Sequence, residues 1–151
     1  MKEKREEIKA YLMQAREAAA ELARNKSRVQ QLELRCRKMT ATLSGNFGGD
    51  AYERGDAALV LLCDAREEAL AAMEREQERL REIGAFIDRV EGADVLRIIL
   101  RLRYLEYLNW AAVQRAMERV GLWYSERQIL RLHEKALEAA AALWPEHKAA
   151  A

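Results

Sequence analysis

Four cationic or polar residues follow one another at helical spacing near the C-terminus: Arg127, Gln128, Arg131 and Lys135. At 3.6 residues per turn they fall on one side of a helix. Arginine can read guanine through two hydrogen bonds, glutamine can read adenine, and lysine more often contacts phosphate. The stripe is therefore a candidate surface for base recognition in DNA. A solvated face of a helical bundle is the simpler alternative, because Glu126, Glu134 and Glu138 dilute the charge.

Two residues directly before the stripe belong to the same candidate surface. Ser125 is a preferred helix N-cap residue, and the free amides of a helix start can bind a phosphate. Tyr124 can pack on the DNA backbone or on a thymine methyl group. We predict a helix from Glu126 to about Leu143 that stops before Trp144 and Pro145. The candidate DNA-binding residues are Tyr124, Ser125, Arg127, Gln128, Arg131 and Lys135.

Two further helices are expected to hold this last helix in place. Asp94 is a plausible N-cap for an apolar helix from Val95 to about Tyr107, and Asn109 is one for a helix that ends at Gly121. On the last helix, Ile129, Leu132, Ala136, Ala140 and Leu143 form an apolar face that would pack on the two helices before it. Two helices joined by a short glycine-bearing connection are typical of a helix-turn-helix. The pattern predicts such a domain over residues 94–145.

The first half of the sequence predicts a long antiparallel helical hairpin, coiled-coil-like, over residues 1–91. Apolar residues recur at steps of three and four from Ile8 to Leu43 and from Leu59 to Val90. Between them, SGNFGGDAYERGD predicts a loop, after which Asp56 caps the second helix. Residue numbers that sum to about 99 would then be neighbours, which pairs Arg66 with Glu33 and Cys36 with Cys63. The alternative is an intermolecular coiled coil, in which the same apolar residues pack against a second copy of the chain and form a homodimer.

Composition and charge agree with an all-α protein and restrict its function. Half of the 151 residues are apolar and proline occurs once. The net charge is +1, but residues 95–151 carry nine Lys/Arg and six Asp/Glu.

The absence of a signal-peptide core and of a long apolar run predicts a cytoplasmic chain without a membrane partner. The two cysteines have no metal-ligand spacing and are expected to be reduced, buried thiols.

No motif of the sequence indicates catalysis. It has no glycine-rich phosphate loop, no nucleophile beside a base and no paired carboxylates in an apolar setting. We therefore expect no enzyme, no cofactor, no metal and no small-molecule ligand. His133 lacks a second ligand within metal spacing and is expected to be half-buried, with a hydrogen bond or a phosphate contact.

The stretch ILRLRYLEYLNW, a short helix, and then YSERQILRLHEKALE resemble the C-terminal domain of a family of phage- and prophage-encoded transcription regulators. In that family an R-Y-(I/L)-E stretch and a Ser/Asn-Trp start precede Y-S-x-R-x-(I/V)-x-R-(I/L)-H-x-x-A-L. The residues that match are Arg103, Tyr104, Leu105, Glu106, Asn109, Trp110, Tyr124, Ser125, Arg127, Ile129, Arg131, Leu132, His133, Ala136 and Leu137. The domain looks like region four of bacterial sigma factors, and a long N-terminal helical region is also typical. The resemblance is close over residues 96–138 and loose elsewhere.

By this resemblance, the chain would control phage or prophage transcription by binding double-stranded promoter DNA, with RNA polymerase as a further possible partner. One departure concerns the spacing from Trp110 to Ser125, which is fifteen residues here and longer than the family pattern. Trp123 lies in the added stretch and would fill the gap that it creates. Two alternatives stay open: a DNA-packaging adaptor of the small-terminase kind, and a helical module that binds only protein.

Overall fold

The protein is all-α. The computed structural model describes residues 2–44 and 49–150, without the side chains of residues 43–53, and these residues contain no strand. The helices are α1 (Lys2–Ser44), α2 (Gly49–Asp88), α3 (Asp94–Leu100), α4 (Trp110–Arg119) and α5 (Glu126–Ala150), and a π-helical turn (Arg101–Leu105) follows α3 directly. The predicted fold class is confirmed at this level. Nowhere in the described chain is a helix both long and apolar enough to cross a membrane.

Several helix ends differ from the prediction. Asp94 does not cap α3, because the N-cap is Ala93 and Asp94 is the first residue of the helix. The loop expected over residues 44–56 is wrong from Gly49 onward, because α2 begins there and Asp56 lies inside it; residues 45–48 fall outside the described residues. A glycine in a helix costs only about 1 kcal/mol, which neighbouring residues can offset. The predicted stop near Leu143 is also wrong, because α5 continues through Pro145 to Ala150.

The contacts divide the chain into two compact units. The first contains the residues up to Ala18 and those from Arg79 onward, and the second contains Ala19–Glu78. The first turns of α1 and the last turns of α2 thus belong with the C-terminal helices. The domains predicted over residues 1–91 and 94–145 place their boundary elsewhere and stay a prediction.

The core of the first unit is an apolar cluster to which four helices contribute. Ile8 and Leu12 of α1 and Phe86 of α2 are fully buried in it, together with Leu100 of α3 and Leu137 of α5. Each buried side chain of this size stabilises the fold by about 1.5–3 kcal/mol. This cluster fixes the C-terminal half of α5.

The second unit shows the predicted register between α1 and α2. The Arg66 guanidinium donates from Nε and Nη2 to Glu33 Oε1, both at 3.1 Å, which confirms that pair. Burial raises the pKa of the Cys36 thiol, and the neighbouring Cys63 adds to this effect. Both cysteines are free, but the expectation of two buried thiols is wrong, because Cys36 is half-buried and Cys63 is exposed.

Candidate nucleic-acid interface

The start of α5 packs on α3 and α4 through a second apolar cluster. Ile99, Val113, Met117 and Ile129 are fully buried in it, and Trp110, Leu122 and Tyr124 pack around them. The apolar faces predicted for α4 and α5 therefore meet here. Farther along α5, Ala136 and Ala140 belong to the cluster that includes α1 and α2 instead. One helix thus bridges two cores.

The end of α4 is closed by a Schellman motif. The backbone N–H of Leu122 donates to the carbonyl of Met117 at 2.9 Å, and that of Gly121 donates to Glu118 at 3.0 Å. Leu122 then packs beside Met117 in the second cluster, as this motif usually requires. Gly121 has a φ of +82°, in the left-handed region that favours glycine. These bonds set the direction in which the chain leaves α4.

Gly121→Ala is expected to lower the free energy of unfolding by about 1–2 kcal/mol. A Cβ atom at Gly121 would meet no heavy atom within 4 Å, so the cost comes from the positive φ alone. Gly84→Ala is the matched control, because Gly84 lies inside α2. Its Cβ atom would lie 3.8 Å from Leu105 Cδ1 of the π-helical turn, which is an ordinary contact. This control should stabilise the protein by about 0.5–1 kcal/mol. Urea denaturation measures both, and equal effects would contradict the assignment of strain to Gly121.

Ser125 caps α5, as predicted, through a reciprocal pair of hydrogen bonds. The Gln128 N–H donates to Ser125 Oγ at 3.2 Å, and the Ser125 N–H donates to Gln128 Oε1 at 2.8 Å. This is a capping box. Because bidentate reading of adenine needs both the oxygen and the nitrogen of the Gln128 amide, base contact would require this bond to open. In this structure Gln128 fixes the helix start.

Tyr124 also holds the connection in place. Its side chain is half-buried against the second cluster, and its carbonyl accepts a hydrogen bond from Gln114 Nε2 of α4 at 3.1 Å. Only part of the ring is accessible to a ligand. The structure thus places Tyr124 in the support of α5 more than on its exposed side.

Arg127, Arg131 and Lys135 are exposed along one side of α5. Within the described residues, no hydrogen bond or ion pair engages any of the three. Three donor groups are therefore free to meet an acidic ligand. The structure brings these three predicted residues together on one surface.

Two of the three carboxylates next to the stripe, Glu134 and Glu138, form ion pairs with α1. The Arg5 guanidinium donates from Nη1 to Glu134 Oε2 at 2.8 Å and from Nη2 to Glu138. Such exposed pairs add little to stability, but they reduce the negative potential beside Arg131. Sequence reasoning missed Arg5, because it lies more than 120 positions from its partners and no local pattern connects them.

His133 joins α5 to the two elements before it. Its Nε2 atom lies 2.7 Å from the Tyr104 hydroxyl, at hydrogen-bond distance, and its ring meets the edge of Trp110 with centres 4.8 Å apart. The side chain is 6% exposed, so the expected hydrogen bond is present but the expected half-burial is wrong. The Arg103 guanidinium lies 4.6 Å from the centre of the Trp110 ring. His133 is a structural residue here and is not available for phosphate.

The π-helical turn contributes Tyr104 to this contact. The N–H of Glu106 donates to the carbonyl of Arg101 at 3.0 Å, the i to i+5 bond that defines such a turn. The helix predicted to end near Tyr107 stops at Leu105, and Tyr107 itself has a φ of +62°, which reverses the chain. The Arg16 guanidinium of α1 lies 4.1 Å from the centre of the Tyr107 ring.

We expect the free energy of unfolding to fall by about 2 kcal/mol between pH 7 and pH 5. Burial lowers the pKa of His133 from 6.5 to about 4, and Lys9 and Arg103 add to this shift. Between pH 6.5 and about 4 the unfolded chain binds more protons than the folded one. The contribution of His133 to the free energy of unfolding is therefore complete above pH 6.5 and is lost as the pH falls. Denaturant titrations across this range measure the slope. In His133→Gln the free energy of unfolding should no longer fall over this pH range. If it still falls, groups other than His133 cause the pH dependence.

The far end of α5 is anchored to α1. The indole Nε1–H of Trp144 donates to Glu7 Oε2 at 2.8 Å, and Lys148 Nζ donates to the same oxygen at 3.2 Å. These two bonds lower the pKa of the Glu7 carboxyl. The rings of Tyr11 and Phe86 pack against Trp144 and His147. This packing explains why α5 continues past Pro145.

Trp123 does not fill a gap. Its side chain is 74% exposed, and the prediction that it plugs the added stretch is wrong. Leu122 and Tyr124 on either side pack inward, so the extended connection turns Trp123 to solvent. Val120, at the start of the same connection, is 69% exposed.

The candidate interface is thus a capped helix. Its start is held by α4, its end is anchored on α1, and its unpaired cations face solvent. Comparison of the chain with protein-family models, with curated proteins and with solved structures finds no match.

Proposed function

We propose that this protein is a sequence-specific DNA-binding transcription regulator of the phage or prophage type. In this proposal α4 and α5 form a helix-turn-helix, α3 supports them, and the exposed side of α5 enters the major groove. The antiparallel pairing of α1 and α2 is a helical hairpin that serves contacts with a partner, either a second copy of the chain or RNA polymerase.

The observation that carries the proposal is the unpaired stripe of Arg127, Arg131 and Lys135. An ordinary solvated face would mix these cations with free carboxylates, and the sequence predicts such a mixture. In the structure Arg5 engages Glu134 and Glu138, so two of the three acidic neighbours are compensated, whereas Glu126 and the three cations have no partner among the described residues. Guanidinium groups free to donate in pairs match the acceptor atoms of guanine and of phosphate.

The support of α5 is the second argument. Base readout needs side chains on an element that does not move when it meets DNA. The Gln114–Tyr124 bond and the His133–Tyr104 contact fix α5 against the elements before it, and the capping box fixes its first turn. The connection from Val120 to Ser125 is longer than the three or four residues of a usual helix-turn-helix, but the Schellman motif and these bonds define its path.

Selection of bound duplexes from a random DNA pool tests the proposal. We expect enrichment of one defined motif and a dissociation constant of about 10⁻⁸ M or lower at physiological salt. The logarithm of the association constant should fall linearly with the logarithm of salt concentration. The absence of any retained DNA at about 50 mM salt would overturn the proposal, because phosphate contacts are strong there.

A further inference from the structure

We infer that Trp123 is a DNA-contact residue that reads thymine methyl groups in the major groove; this inference rests on the proposed function. A tryptophan that is 74% exposed leaves most of a large apolar ring in water, so a partner that covers the ring gains the free energy of burying it. The rings of Trp110 and Trp144 contact neighbouring rings or charged groups of the protein, whereas no such contact involves Trp123 within the described residues. The exposed indole is thus free for a ligand.

The position of Trp123 puts it within reach of bases that α5 would read. It precedes Arg127 by four residues, which limits the distance between the two Cα atoms to about 14 Å. The Ser125 cap and the Tyr124 carbonyl bond fix the chain between them. When the first turn of α5 enters the groove, the indole therefore lies at the same stretch of duplex. The thymine methyl is the apolar group that the major groove presents there.

The charges around Trp123 favour DNA over protein as its partner. Arg119 and Arg127 lie four residues before and after it, and both are exposed without an ion pair among the described residues. From Arg115 to Arg131 the chain carries four arginines and two glutamates, Glu118 and Glu126. The core of a protein–protein interface is usually depleted of charge, whereas a basic surface with an exposed aromatic ring suits a nucleic acid.

The test replaces each thymine of the selected duplex with deoxyuridine, which removes only the methyl group. For the wild-type protein we expect at least one position where this substitution weakens binding by about fourfold, the effect of one buried methyl group. Trp123→Ala should weaken binding to the unmodified duplex by about tenfold or more and should lose the sensitivity at that position. Because the side chain is exposed, the melting temperature should not change.

Leu61→Ala is the matched control, since Leu61 is 71% exposed and lies on α2 in the other contact unit. It should bind every duplex as the wild type does. Wild-type affinity of Trp123→Ala, an unchanged uridine effect in that variant, or a selected motif without thymine would each overturn the inference while the proposed function stands. So would loss of self-association in light scattering with unchanged DNA binding, which would make Trp123 a protein contact. Failure of the wild-type protein to bind any DNA would overturn both.

Discussion

Arg127→Ala and Arg131→Ala will each weaken binding to the selected DNA by about 1–3 kcal/mol, or roughly five- to 150-fold. Each substitution removes a guanidinium group that has no partner within the described protein, so the loss falls on the ligand contact and not on the fold. Fluorescence anisotropy with the selected duplex measures the affinity. Lys135→Ala should weaken binding to all sequences alike and reduce the salt slope by about one, as expected of a phosphate contact.

Arg75→Ala is the control for these variants, because Arg75 is exposed on α2 and also has no hydrogen-bond or ion-pair partner among the described residues. Its affinity should equal that of the wild type. If Arg127→Ala and Arg131→Ala bind the selected duplex as tightly as Arg75→Ala does, α5 is not the recognition helix. Circular dichroism melting curves establish that all variants remain folded.

Trp144→Ala will have the largest effect on stability, with a loss of about 3–5 kcal/mol in the free energy of unfolding. The side chain is 9% exposed, contacts the rings of Tyr11 and Phe86, and donates to Glu7. Its removal leaves a cavity between α1, α2 and α5 and takes away one of the two hydrogen bonds to Glu7, which keeps only that from Lys148. Urea denaturation at pH 7 measures the change.

Trp123→Ala provides the comparison, because the same chemical change at a residue that is 74% exposed should alter stability by no more than about 0.5 kcal/mol. If both variants unfold at the same urea concentration, the anchoring of α5 on α1 is not a stabilising contact.

The local features of this fold could be predicted from the sequence. Asn109 caps α4 by accepting from the N–H of Ala112 at 2.8 Å, and Ser125 caps α5, because capping depends on residues only three positions away. The Arg66–Glu33 pair followed from periodicity, which fixes the register of two helices once both seams are known.

Features that depend on distant residues could not be predicted. The extension of α5 through Pro145 rests on Trp144 and its neighbours in α1 and α2, and the compensation of Glu134 rests on Arg5. At the candidate interface, the spacing identified Arg127 and Arg131, whereas the Ser125–Gln128 capping box, although local, was missed because Gln128 was assigned to base reading. The start of α2 at Gly49 was missed because glycine-rich composition outweighed helix periodicity in the prediction.

The contact between the two ends of the described chain also constrains when the protein can fold. Trp144, which completes the cluster of Ile8 and Leu12, is made more than 130 residues after them. At a translation rate of about 5–20 residues per second, the apolar side of α1 waits roughly 7–26 s for α5. Until then only α2 and α3, which are made in between, can cover it. The cluster is therefore complete only after α5 has left the ribosome, and the partly covered side of α1 is a surface that a chaperone can bind in the meantime.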